Sequence, residues 1–322
     1  MTRRNIIFLG ILAVMGAGWG ITQPLTKIAV STGYRNFGLI FWQLALGAVA
    51  LAIVRSFAVT RNDRRQFVCL RLPTLRKDPP ALLVYVVIAL IGTILPNSAT
   101  YEAIRHLPSG LISILLSLVP MFAFPIALLM RNEQFAPMRL GGLLFGLLGV
   151  LLIVAPEASL PDRAMLVFVP LALVAPLFYG LEGNAVAKWG TAGLAPIDVL
   201  YGASFFGATI TLPLALASGE FINPLRPWGA PEFALLASSL IHVAVYTTYV
   251  WMVGATGPVF AVQVSYLVTG FGVIWAMILL GESYSAWIWA AMALILVGVF
   301  LVQPRSREVL ADTEETGKMP SR

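Results

Sequence analysis

Runs of about 20 apolar residues, each long enough to cross a hydrocarbon layer roughly 30 Å thick, succeed one another along the chain with only short polar breaks between them. None alternates with the period of two that barrel strands need. The runs must therefore be helices, whose backbone groups find their partners within the segment. A hydropathy window of about 19 residues predicts ten spans, near 5–29, 36–58, 80–104, 108–130, 138–156, 163–187, 195–217, 230–254, 258–280 and 286–303. Charged residues are 11% of the 322 and hydrophobic residues 59%, against roughly 25% charge in a soluble domain. The expected fold is an all-α integral membrane protein with no room for a soluble domain between its spans.

Several function classes fall away at once. The net charge of +6 sits in loops between spans, so it argues for topology and against nucleic acid. One cysteine, Cys69, excludes an internal disulfide, and no cysteine cluster offers a metal site, so neither metal nor other cofactor is expected. Thr2-Arg3-Arg4 could be mistaken for a twin-arginine leader. The apolar run behind it is too long, however, and carries Trp19 and Gln23 into further spans; a first transmembrane helix is expected, with no cleavable signal. If the N-terminus is cytoplasmic, only Lys27, Arg35, Arg105, Arg163 and Arg226 of the 21 Lys and Arg residues lie outside. The positive-inside rule then places both termini in the cytoplasm of a multi-pass inner (plasma) membrane protein. The basic loop 59–79 dominates that vote as a topology anchor, with anionic headgroups as a second contact.

The chain also echoes itself. The stretch from Asn97 to Glu133 returns between Thr247 and Glu282. Tyr101 and Tyr249, Gly110 and Pro258, and Ser117 and Ser265 are 148 residues apart; Glu133 and Glu282, and Gly149 and Gly298, are 149 apart. Residues 11–30 align with 171–190 at an offset of 160, matching Gly20 to Gly180 and Trp19 to Tyr179, with Lys27 one place from Lys188. The expected units are 1–156 and 157–303, followed by a polar cytoplasmic tail at 304–322. Five helices per copy is an odd number, so the second copy enters from the opposite side. Such a 5+5 inverted repeat lets two halves exchange inward- and outward-open shapes around a midplane site.

The end of span 3 through span 5, YEAIRHLPSGLISILLSLVPMFAFPIALLMRNEQFAPMRLGGLLFGLLGVLLI, resembles the EamA-type repeat of the drug/metabolite transporter superfamily. A helix of small residues leads to a proline, then a turn, then a glycine-rich helix. The second copy is similar, with Leu280-Gly281-Glu282 and later Gly298. The resemblance covers about residues 5–303. It implies ten helices, a central cavity, cytoplasmic termini, and movement of small metabolites, often amino acids or related compounds and frequently outward. The chain departs from the pattern at Trp42-Gln43, where many members carry an Arg. It departs again at Arg131-Asn132-Glu133, which lacks the glycine, and at Thr269, which stands where span 4 has Pro120.

Polar side chains at membrane depth cost several kcal/mol unless paired or facing water, so they point to a pathway. Glu182 could hold a solute ammonium or a proton; as an interfacial residue it would instead reach water or pair with Lys188. His242 shares a helix face with Tyr246 at i+4, Tyr249 at i+7 and Ser238 at i−4. Trp19 and Gln23 lie one turn apart before Pro24, which frees backbone carbonyls there. Lys27 is expected to snorkel to water. Only one of Trp42 and Gln43 can face a cavity, since neighbours point about 100° apart. Asn97 and Tyr101 share a face of span 3, while Glu102 is expected to pair with Arg105. Tyr179, Gln263 and Tyr266 complete the candidate site, with Tyr201 as a further aromatic wall. A lining of amides and rings without Arg or Lys at depth suits zwitterionic or weakly polar organic solutes better than phosphorylated ones. The glycines of span 5, Gly141, Gly142, Gly146 and Gly149, would let it pack closely inside the subunit or, alternatively, against a second copy in a homodimer.

The leading function is a secondary carrier: no phosphate-cradling G-x-x-x-x-G-K-[ST] loop is present, so a gradient must drive it. A membrane-embedded enzyme would need paired catalytic groups. His106 and His242 have no metalloprotease spacing, and neither an Asp pair at depth nor a Gly-x-Ser-x-Gly occurs. A non-transporting sensor or structural protein is the other alternative, against which the inverted repeat argues.

Overall fold

The computed structural model describes residues 3–62, 75–156, 159–256, 258–261 and 263–302. Most of the basic loop 59–79, with Cys69, and the tail 304–322 lie outside the described residues. In order come α1 (Arg3–Val30), α2 (Asn36–Asn62) and α3 (Pro79–Ala89). A π-helical turn at Leu90–Ile94 joins α3 to α4 (Leu95–His106). Next are α5 (Ser109–Leu116), α6 (Val119–Leu129) and α7 (Pro137–Val154). A 3-10 turn at Arg163–Phe168 leads into α8 (Val169–Ala172) and α9 (Val174–Trp189), followed by α10 (Pro196–Ala217) and α11 (Ala230–Thr256). The last are α12 (Pro258–Ala261), α13 (Val264–Leu280) and α14 (Ala286–Val302). No strand occurs among the described residues. Eight segments, from Ile6–Val30 to Ala230–Thr256, are long and apolar enough to cross a membrane; Val264–Leu280 and Ala286–Val302 are apolar but shorter.

Prolines set where these helices start and break. Pro79, Pro137 and Pro196 open α3, α7 and α10, where a missing N–H costs nothing. Pro96 falls inside span 3 and cannot donate to the Gly92 carbonyl four residues back. The ladder widens there, and Leu95 N–H bonds the Leu90 carbonyl in an i+5 step. Pro120 sits where α5 gives way to α6 through two tight turns, Ser117 to Ile114 and Leu118 to Leu115. At its far end α13 closes on Gly281 at φ 66, a left-handed conformation that glycine adopts without a Cβ clash. Arg76 grips the Asp78 carboxylate at 2.6 and 2.9 Å and bonds the Ala192 carbonyl at 2.8 Å. That grip holds the Asp78 carboxyl below the usual carboxylate range and ties the start of α3 to the loop before α10.

Glycines decide the closest crossings. The glycine-rich α7 lies on α14, where a Cβ at Gly142 would come within 2.6 Å of the Gly298 carbonyl, and one at Gly149 within 3.0 Å of the Ala291 carbonyl. The small-residue face of span 5 is thus used inside the subunit, except for Gly141, which has nothing within 4 Å. On α1, a Cβ at Gly20 would meet Gly272 N at 2.8 Å and Phe271 Cβ at 2.9 Å of α13. On α9, a Cβ at Gly180 would meet Ala123 N at 2.9 Å and Ala123 Cα at 3.1 Å of α6. The two crossings pair residues at the same sequence offsets, 160 for the glycines and 149 for Phe122-Ala123 and Phe271-Gly272.

Because backbone atoms line both contacts, Gly20→Ala and Gly180→Ala should each destabilise the fold by about 1–3 kcal/mol. Unfolding in mild detergent by a denaturing-surfactant titration measures this. Gly141→Ala, facing open space, should leave the midpoint unchanged.

Candidate functional site

The widened turn of span 3 presents Gly92 to α9, and the space its missing side chain leaves is filled by Glu182. A Cβ at Gly92 would stand 2.5 Å from Glu182 Oε1 and 2.7 Å from its Cδ. Gly92 lies midway along Pro79–His106, so the carboxylate reaches the middle of a span and not its end. Glu182 is half-buried, and among the described residues its carboxylate makes no hydrogen bond or ion pair. The expected alternative partner is engaged elsewhere: Lys188 Nζ donates to the Met130 carbonyl at 2.9 Å. The groups that interact electrostatically with Glu182 are the hydroxyls of Tyr179 and Tyr246.

A continuous run of rings leads away from that carboxylate. Tyr246 stacks on His242 at 6.3 Å and 18°. His242 is 6.1 Å from Trp19, whose ring is 5.6 Å from Tyr249. The i, i+4 and i+7 spacing read along span 8 thus gathers on α1. On the other side lies an amide and hydroxyl relay. Asn97 Nδ2 donates to Gln43 Oε1 at 3.0 Å, the Tyr101 hydroxyl donates to the same oxygen, and Tyr179 OH donates to Asn97 Oδ1 at 3.2 Å. Helices α2, α4 and α9 therefore meet through four of the anticipated residues. Three further groups have no partner among the described residues although buried: Trp19 Nε1, Gln23 Oε1 and the Tyr266 hydroxyl. They lie on α1 and α13, which pack together, and offer one donor, one acceptor and one hydroxyl that can do either. Buried polar atoms left unpaired call for an explanation, and a bound solute or water supplies one.

Other anticipated residues lie apart. Trp42 donates Nε1 to the Ile222 carbonyl at 2.8 Å and sits among Phe41 and Phe221, which leaves Gln43 as the neighbour that faces inward. Gln263 is exposed where α12 meets α13. Tyr201 lies beneath the Arg55 guanidinium, 4.8 Å away, and Arg55 pairs with Asp198 at 2.7 Å. Lys27 does not snorkel to water. Its ammonium donates to the carbonyls of Ile104, Arg105 and Leu107 at 2.5, 3.0 and 3.0 Å. Glu102 pairs with Arg105 at 3.4 Å, as its i+3 spacing suggests, and also with His106. Gly92 is the site residue that the sequence reading passes over. Its spacing of four from Pro96, a glycine facing a missing donor, is the signal that marks it.

Replacing Gln43 with Leu leaves the Asn97 amide and the Tyr101 hydroxyl without their shared acceptor. It should cost about 1–3 kcal/mol in detergent unfolding. Tyr179→Phe removes a single bond and should cost no more than about 0.5–1.5 kcal/mol in the same assay.

Among solved structures, one crystal structure matches 94% of this chain and 98% of its own at a TM-score of 0.59 with 18% identity, a likeness of fold alone. No curated protein matches. The model of the EamA-like transporter family matches twice, over residues 5–155 and 167–303. The chain belongs to the EamA-like transporter family, within the drug/metabolite transporter superfamily.

Proposed function

We propose that this protein is a secondary carrier that exports small amine-bearing organic solutes, amino acids or their relatives, by alternating access. The observation that carries the reading is Glu182, whose carboxylate lies against Gly92 midway along span 3, with no cationic partner among the described residues and with electrostatic contact to Tyr179 and Tyr246. An ammonium group would supply the missing countercharge. Aromatic faces attract cations within about 6 Å of the ring by roughly 0.5–2 kcal/mol, so Tyr246 would add to the hold on the ammonium, and His242 and Trp19 would pack against the rest of the solute. The unspent groups of Trp19, Gln23 and Tyr266 would bind its polar end.

A 5+5 inverted repeat with both termini cytoplasmic in a cell inner membrane is part of the same reading. It is supported by the double family match and by the paired crossings at Gly20 and Gly180. The outward direction rests on the family resemblance. The reading treats Glu182 as the shared seat of solute and proton, so that one leaves as the other arrives.

Flux in proteoliposomes tests this with preloaded amino acids and small organic cations and anions, with and without a pH gradient. Saturable exchange of an amine should appear and fall at least tenfold in Glu182→Gln, while His242→Ala should weaken apparent affinity. Gly92→Ala, which pushes the carboxylate from its place, should raise KM several-fold in a folded protein. Exchange of anions alone, or full activity in Glu182→Gln, would overturn the assignment.

A further inference from the structure

The relay between α2, α4 and α9 has a direction. Tyr179 OH donates to Asn97 Oδ1 at 3.2 Å, Asn97 Nδ2 donates to Gln43 Oε1 at 3.0 Å, and the Tyr101 hydroxyl donates to the same Gln43 oxygen. Two donors fill the two lone pairs of that oxygen. Turning the Gln43 amide over would set its NH2 group against the Asn97 NH2 group. The relay thus pins the side chain with Nε2 turned away from both partners. An amide nitrogen carries two N–H groups, and among the described residues neither of those on Gln43 finds an acceptor. Nor is Nε2 sealed within the protein, as Gln23 Oε1 is. The relay begins at a hydroxyl in electrostatic contact with Glu182 and ends in two free donors.

Those donors stand a short way along the membrane from the carboxylate. Gly92, against which Glu182 lies, and Asn97, which bonds Gln43, are both on span 3. The five residues between their positions amount to roughly 7 Å of helix rise. A solute with an ammonium at one end and a carboxylate at the other fits that spacing, the ammonium on Glu182 and the carboxylate on Gln43 Nε2. Hydrogen bonds to an ionised acceptor are roughly twice as strong as neutral ones, so a neutral amide can favour an anion. The cations of α1 and α2 are engaged elsewhere: Lys27 bonds three carbonyls and Arg55 pairs with Asp198. The other unpaired groups suit a different part of the solute. Gln23 Oε1 is an acceptor and would repel a carboxylate, so Trp19, Gln23 and Tyr266 fit an uncharged polar group.

We propose that Gln43 recognises the carboxylate of the solute, so that the carrier takes zwitterionic amino acids in preference to simple amines. The inference rests on the amine reading of Glu182 and adds the second contact. Asn97 and Tyr101 are positioning residues, which hold the Gln43 amide with its donors free.

The test is binding to the full-length protein in mild detergent, measured by isothermal titration at pH 8. The probes are neutral amino acids and the amines left by their decarboxylation, phenylalanine with phenethylamine and leucine with isopentylamine among them. Wild type should bind an amino acid about tenfold more tightly than its amine, the worth of one hydrogen bond to a charged group. Gln43→Glu keeps an oxygen for the Asn97 and Tyr101 donors and replaces the free NH2 group with a second acceptor. It should weaken amino acids by about tenfold and spare the amines, which removes or reverses the preference. Tyr101→Phe takes away one of the two bonds that fix the amide, and should narrow the preference several-fold with amine affinity unchanged. Equal affinity for both probes in wild type, or a preference unchanged in Gln43→Glu, would overturn the proposal and leave the amine reading standing. If Gln43→Glu lowers the unfolding midpoint, Tyr101→Phe decides, and an unchanged preference there overturns the proposal. Glu182→Gln tests the reading beneath it and should abolish binding of both probes. Full binding in that variant, or none in wild type, would overturn the amine reading and this inference with it.

Discussion

Everything in this molecule answers to one constraint: a backbone amide or carbonyl inside a bilayer has no water to bond, so each break in a helix must be satisfied by the protein. The described spans break repeatedly, at the π turn of span 3, between α5 and α6, between α8 and α9 and between α12 and α13. A chain under that constraint breaks a helix only where something else pays the missing bonds. The sharpest case is the corner between α4 and α5, where two charged side chains from distant parts of the chain satisfy carbonyls and amides that would otherwise be stranded. Such charges are stabilised where they stand.

The same constraint explains the site. Gly92 could not take a widened turn in the middle of a span without Pro96 removing the ordinary donor, and without the lack of a Cβ that lets Glu182 approach. A carboxylate with no countercharge is costly in such surroundings. The Tyr179 and Tyr246 hydroxyls interact with it electrostatically, which is no substitute for a countercharge. The relay of Gln43, Asn97, Tyr101 and Tyr179, by contrast, is bonded within itself. It ties α2, α4 and α9 together through side-chain bonds alone.

What was legible in the sequence follows from what the physics makes local. Apolar length declared the spans, and internal offsets declared that Gly20 and Gly180 play matching parts, because a glycine contact needs only its own position and a partner at a fixed distance. The face shared by His242, Tyr246 and Tyr249 was legible because helical spacing is local too. Partner choice was not. Nothing near Lys27 in the chain says that carbonyls 77 to 80 residues away will take its ammonium, so snorkelling to water was the natural expectation and it was wrong. Trp42 and Gln43 differ by one position, and the tertiary contact with Ile222 decided which of them turned away.

That division between local and tertiary information bears on how a duplicated membrane protein can work. Two copies of one repeat carry related charges, Glu133 matching Glu282 and Lys27 falling one place from Lys188. Both copies make the same crossing, α1 on α13 at Gly20 and α9 on α6 at Gly180. The two matching carboxylates are nevertheless engaged differently, Glu282 by two backbone amides and Glu133 by Arg139, so duplication decides which residues are present and tertiary packing decides their partners. Arg139 holds Glu133 in a charged pair beside the Phe124 ring, so that carboxylate is not left as a bare charge, just as the Ser109 and Gly110 amides meet Glu282.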